Sequence, residues 1–119
     1  MIKIIIAGCR DFNDYDFFEE KVSEVLETEI NNHDIEIVSG GCRGVDKLGE
    51  AFAKKHKIPL RVITARWYAY GNAAGPMRNA RMAEYADILI VLWNSISKGT
   101  KNMIDTMRKL DKPIFIIHI

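Results

Sequence analysis

Four short segments hold most of the residues with which this chain could do chemistry. The first is Gly8-Cys9-Arg10-Asp11. Gly8 permits a sharp turn and close backbone approach to a ligand, and Arg10 could grip a phosphate or carboxylate with its forked guanidinium. Pairing of Arg10 with Asp11 on the surface is the plainer reading. The second, Ser39-Gly40-Gly41-Cys42-Arg43-Gly44-Val45-Asp46, is the strongest. Three glycines free successive backbone N–H groups to form a cradle ahead of a helix, with the positive end of its dipole behind them. Arg43 adds a cation. Asp46 falls in the first helical turn, where it either complements the dipole or accepts from a ribose hydroxyl. No Gly-Lys-Ser/Thr follows, so this is not a Walker A loop, and the glycine spacing is not that of a dinucleotide fingerprint.

The third segment runs Gly75-Pro76-Met77-Arg78-Asn79-Ala80-Arg81. Arg78 and Asn79 stand near a helix start and are candidate ligand contacts; Arg81 shares a face with Arg78 and reads equally well as exposed. The fourth is Trp93-Asn94-Ser95-Ile96-Ser97-Lys98-Gly99-Thr100. Asn94, Lys98, Gly99 and Thr100 are candidate phosphate contacts. An ordinary N-cap by Ser97 or Thr100 explains the hydroxyls but leaves Gly99 unexplained. Between the second and third segments, Trp67 could stack on a base or plug a core edge or subunit interface.

The elements that would position these segments follow from hydrophobic pattern. Apolar runs at 2–7, 35–38, 60–63, 88–92 and 114–117 read as strands buried on both faces. Helical spacing links Phe18, Val22, Val25, Leu26 and Ile30. It recurs in Val45, Leu48, Ala51 and Phe52, and in Met103, Ile104, Met107 and Leu110. A shorter helix is expected over 76–85, with Pro76 acceptable in its first turn. The alternation predicts an α/β fold: a Rossmann-like three-layer sandwich with a five-stranded parallel sheet and helices on both faces. Residues 64–75 are expected to form a long irregular loop. Ligands of such sheets sit beyond the carboxyl ends of the strands, where all four segments fall.

Length and composition set the bounds. The chain has 119 residues, 48% hydrophobic and 28% charged, which suits one packed domain spanning 1–119. A net charge of +1 argues against broad, sequence-independent nucleic-acid binding while allowing a local basic pocket. No apolar run reaches the ~20 residues of a membrane span, and no secretory segment is evident. The expected setting is the cytoplasm, with Cys9 and Cys42 as free thiols. The cysteines lack paired zinc-ligand spacing, and His33, His56 and His118 lie outside the four segments. No metal or cofactor is called for.

In their order and spacing these motifs resemble the SLOG superfamily, the Rossmann-like group that includes the LOG proteins and DprA. The likeness is to its YspA-like branch of small bacterial and phage proteins. It is carried by Gly8-Cys9-Arg10-Asp11-Phe12, by Val38 through Asp46, and by Ala65-Arg66-Trp67 with Gly71, Ala74-Gly75, Arg78-Asn79 and Met82. Ala86-Asp87 and Lys98-Gly99-Thr100 complete it. The resemblance implies a pocket for a nucleotide or a nucleotide-derived ligand such as an ADP-ribose derivative, and a homo-oligomer such as a dimer, for which Trp67, Tyr68 and Tyr70 offer an aromatic patch. It also implies an alternative: LOG-like hydrolysis of nucleoside monophosphates, with Arg78 matching the family's arginine and Gly99-Thr100 its Gly-Thr. The LOG catalytic Glu falls on Met103, so Asp46 or Asp11 would have to supply the carboxylate. Arg78 and Asp46 are then the catalytic candidates. A third implication, DprA-like binding of single-stranded nucleic acid, is disfavoured by the near-neutral charge.

Overall fold

The computed structural model describes residues 1–31 and 33–119. Five strands form one parallel sheet: β1 (Ile2–Gly8), β2 (Ile35–Ser39), β3 (Leu60–Val62), β4 (Ile88–Trp93) and β5 (Ile114–His118). Their order is β3-β2-β1-β4-β5. The chain builds outward from β1 to β3 on one side, then returns to place β4 against the other side of β1. The crevice where strand order reverses therefore lies between the carboxyl ends of β1 and β4.

Period-two alternation in β1 divides the core. Ile4 and Ile6 pack with Phe18, Val22, Val45 and Phe52 beneath α1 (Tyr15–Val25) and α2 (Val45–Lys55). Ile5, on the opposite face, packs with Met82, Ala83, Met103 and Met107 beneath α4 (Ala74–Tyr85) and α5 (Lys98–Lys109). Register is fixed by pairs such as Ile4 with Ile37 and Ile5 with Leu89. A one-residue slip would move each Ile to the wrong layer. The expected α/β sandwich, with a five-stranded parallel sheet and helices on both faces, is the observed one.

Three local expectations are corrected. The run at 60–63 was expected to be buried on both faces, but β3 is a three-residue edge strand with Arg61 and Val62 exposed. Residues 64–75 are not an irregular loop. They contain α3 (Trp67–Tyr70) and a 3-10 turn (Gly71–Ala73), and α4 begins at Ala74, ahead of Pro76. The helical pattern over 18–30 is continuous in sequence but changes hydrogen bonding, because α1 ends at Val25 and Leu26–Ile30 forms a π turn.

Candidate functional site

The loop after β1, the loop after β2 and the first turns of α4 and α5 meet in one recess at the strand-order reversal. Its cavity volume is about 60 Å³, and it is open to solvent. Its walls include Gly8, Arg10, Gly40, Asp46, Arg78, Asn79, Gly99 and Thr100. Residues from all four sequence segments thus converge.

Gly44 lets the first two loops touch. It caps α2 with φ 78° and ψ −132°, and a Cβ there would lie 2.3 Å from the Cys9 carbonyl oxygen. Its neighbour Val45 donates its N–H to that same oxygen (3.2 Å).

Arg78 and Asn79 brace the recess. Arg78 is only 8% exposed. Its Nη1 donates to the Gly40 carbonyl (2.9 Å) and lies 3.4 Å from Cys42 Sγ, while Nε donates to Asn79 Oδ1 (2.9 Å). Asn79 Nδ2 in turn donates to the Gly99 carbonyl (3.3 Å) and to Asn102 Oδ1 (3.0 Å). Two adjacent residues of α4 thereby tie the β2–α2 loop to the start of α5. Among the described residues Arg78 Nη2 has no partner, which leaves one face of the guanidinium for a ligand.

The start of α5 supplies a second anion-favouring element. Ser97 is its N-cap, with Oγ accepting the Thr100 N–H (3.4 Å) and lying 2.9 Å from Thr100 Oγ1. The backbone N–H groups of Lys98 and Gly99 find no acceptor among the described residues. They point the positive end of the helix at the recess that Gly99 and Thr100 line.

Asp46 is the acidic counterpart. It is 6% exposed, and its Oδ2 accepts the Cys42 N–H (3.1 Å). Burial pushes its carboxyl up to about 6; the Cys42 N–H and the guanidinium groups of Arg78 and Arg10 pull down, and nearby Glu50 pushes up. Ser39 lies behind it, fully buried, donating to Glu50 Oε2 (2.7 Å) and accepting the Gly41 N–H (3.1 Å). Ser39 thus shapes the loop from within and does not line the recess.

A second, shallower recess adjoins the first and shares Arg10 and Cys42 with it. Gly41, Arg43 and Trp67 complete it. The Arg10 guanidinium sits 5.7 Å from the Trp67 ring centroid. The Trp67 ring edge packs over buried Gly75, whose Cβ, if present, would meet it at 3.0 Å. Arg43 pairs with Asp11 at 3.4 Å, both highly exposed, a contact worth little to stability.

Like Ser39, the expected contacts Gly44 and Gly75 line neither recess, and Asn94 and Lys98 join them. Asn94 uses Oδ1 to accept the N–H groups of Ile96 and Ser97 (both 2.9 Å), shaping the turn before α5. The exposed Lys98 side chain is not among the lining groups. Cys42, which follows a strand end, lines the recess, as does Ser97, which was expected only as an N-cap. Cys42 lies inside the glycine-rich segment, but its position in sequence does not reveal that its thiol faces two arginines. Met103 also lines the recess, so an apolar thioether stands where the LOG signature has its carboxylate.

Residues 2–70 match the model of the YAcAr family, described as the YspA, cpYpsA-related SLOG family. The chain belongs to this SLOG family. The matched region carries the loops after β1 and β2, and the remaining walls of the recess, on α4 and α5, follow it. No curated protein sequence gives a match. Among solved structures the chain is similar to the X-ray structure of DNA processing protein A (DprA) from Streptococcus pneumoniae, with a TM-score of 0.76 and 19% identity. That likeness covers 98% of this chain and 50% of the other, so the chain spans about half the length of DprA. At that identity the shared feature is the fold. Membership of the SLOG family supports a role connected with nucleotides or nucleic acids in general. Among the described residues no helix is long and apolar enough to cross a membrane.

Proposed function

We propose that the crevice between β1 and β4 binds or senses a nucleotide-derived ligand of the ADP-ribose class in the cytoplasm. The observation that carries this reading is a convergence. Arg10, the unpartnered edge of Arg78 and the free N–H groups of α5 surround one recess, which continues past Arg10 onto the Trp67 ring. A phosphate is complementary to the first part, through charge-assisted hydrogen bonds and the helix dipole. A planar base is complementary to the second, where it can stack on an indole.

The test is titration calorimetry of AMP and ADP-ribose with the wild-type chain and with Arg10→Ala. Arg10 is exposed, so its removal leaves the fold intact. Loss of one charge-assisted contact at a solvated site should weaken binding roughly tenfold, about 1.4 kcal/mol. Absence of binding by both ligands, or equal affinity for the two proteins, would sink the proposal.

A second reading, LOG-like hydrolysis of a nucleoside monophosphate, is favoured by one observation. Asp46 places in the recess a carboxyl group whose raised pKa suits proton transfer near neutral pH, beside Arg78. Release of free base from AMP, lost in Asp46→Asn, would establish it; recovery of intact AMP would exclude it. We assign self-association to the aromatic edge of α3, where Tyr68 is fully exposed and Trp67 and Tyr70 are about half exposed. Sedimentation of Tyr68→Glu as a lighter species than the wild type would support a dimer formed there, and unchanged sedimentation would dismiss it.

A further inference from the structure

The charged side chains that line the main recess are Arg10, Arg78 and Asp46, and of these Asp46 alone is acidic. Asp46 is more than nine-tenths buried, yet only its Oδ2 is engaged, by the Cys42 N–H at 3.1 Å. Oδ1 has no hydrogen-bond partner among the described residues, and no side-chain oxygen there is sealed from solvent without one. Oδ1 therefore keeps contact with solvent, and Asp46 lines the recess. Asp46 Oδ2 and Arg78 Nη1 lie 2.8 and 2.9 Å from the one point that a Gly40 Cβ would occupy, and among the described residues the two side chains form no ion pair. Gly40, having no side chain, leaves that space open.

A buried carboxylate with a free lone pair is costly unless a donor reaches it. It also repels a phosphate, which confines the anion to the Arg10 and α5 side of the recess. The ligand atom next to Asp46 must then be a neutral donor close to the phosphate in the same molecule. Among the described residues no aromatic side chain lines the main recess, whereas the adjoining one has Trp67. The group left for the space between phosphate and base is a sugar edge. We propose that Asp46 is a specificity-determining residue that accepts a hydrogen bond from a ribose hydroxyl, selecting ribonucleotide-type ligands over their deoxy counterparts. This inference rests on the nucleotide-binding reading above and names the part of the ligand that the reading leaves open. Above pH 6 the carboxyl is mostly ionised, the state in which it accepts.

The experiment compares AMP, 2′-deoxy-AMP, 3′-deoxy-AMP and inorganic phosphate by titration calorimetry at pH 7.5, using the wild-type chain and Asp46→Ala. A hydrogen bond to a charged acceptor predicts that removing the hydroxyl it reads weakens wild-type binding roughly ten- to hundredfold. In Asp46→Ala the ratio between AMP and that deoxy analogue should fall below about threefold, with phosphate bound no more weakly than by the wild type, because a like charge has been removed. Equal affinity of the wild type for AMP and both deoxy analogues overturns the inference while leaving nucleotide binding intact. Discrimination that persists in Asp46→Ala also overturns it. Failure of every probe to bind removes the underlying reading and the inference together. Should Asp46→Ala not fold, Asp46→Asn retains an acceptor for the Cys42 N–H and must still reduce the discrimination; the wild-type comparison decides the matter independently.

Discussion

Asp46→Asn should stabilise the chain near neutral pH although it changes a buried, hydrogen-bonded side chain. Burial raises the Asp46 carboxyl from 3.8 to about 6 in the folded state. At 1.36 kcal/mol per pH unit, that difference comes to about 3 kcal/mol. Because the folded pKa is the higher one, the carboxyl's contribution to stability is fully present below pH 3.8 and is lost as pH rises through 6. Above pH 7 the ionised group therefore opposes folding by about 3 kcal/mol. Asparagine carries no charge and can still accept the Cys42 N–H. The assay is urea unfolding of both proteins from pH 4.5 to 8. The advantage of Asp46→Asn should grow from about 1 kcal/mol at pH 4.5 to about 3 kcal/mol by pH 7, then level off. A difference that does not change with pH would refute the reasoning, as would an Asp46→Asn variant less stable than wild type at pH 7.5.

Four further outcomes are expected. Gly44→Ala should lose more than about 3 kcal/mol, because it forces a side chain into a glycine-only conformation and against the Cys9 and Arg10 backbone. Gly99→Ala, with no neighbouring atom within 4 Å of the new methyl group, should be neutral or gain roughly 0.5–1 kcal/mol by helix propensity; chemical unfolding separates the two. Glu19 accepts from Lys55 (2.9 Å), His56 (2.8 Å) and Tyr15 (3.1 Å), the first two above all holding its carboxyl down at about 2. Its stabilising contribution is present above the ordinary value of 4.5 and lost as pH falls through 2. Glu19→Gln should therefore lower the melting temperature at pH 7, by an amount that shrinks as pH falls from 4.5. Ser97→Ala removes the α5 cap and should cost about 1 kcal/mol in urea unfolding.

Isoleucine-rich runs separated by helical spacing point to parallel strands with crossovers, because each run is short, apolar and rich in β-branched residues. Pattern alone does not give strand order, so the edge position of β3 was hidden. Its Val62 looks like a core residue until the sheet is assembled. α3 leaves no mark in the sequence for a different reason. Its four residues, Trp-Tyr-Ala-Tyr, bury none of their side chains, and its N-cap Arg66 makes no capping hydrogen bond. Neither periodicity nor a cap residue marks it.

That Gly8, Gly40, Gly99, Arg78, Asn79 and Asp46 meet at the carboxyl edge of the sheet was legible in sequence, since it follows from the order of strands and loops. Side-chain direction did not follow. Asn94 precedes a helix as a phosphate contact would, but its oxygen turns back onto Ile96 and Ser97. Arg78 proves to be a structural brace as well as a candidate contact, because its partners Gly40 and Cys42 are brought close only by the sheet.

The claim that this crevice holds a nucleotide-derived ligand is tested most directly by following thermal unfolding with AMP, ADP-ribose, NAD and inorganic phosphate, then chromatographing each mixture. A ligand at 100 times its dissociation constant adds about 2.7 kcal/mol, on the order of a 10 °C rise in melting temperature for a chain of this size. The account predicts such a rise with AMP or ADP-ribose, recovered intact. Conversion of the ligand would establish the hydrolytic reading instead. A melting curve unmoved by every nucleotide on the panel would contradict the central claim.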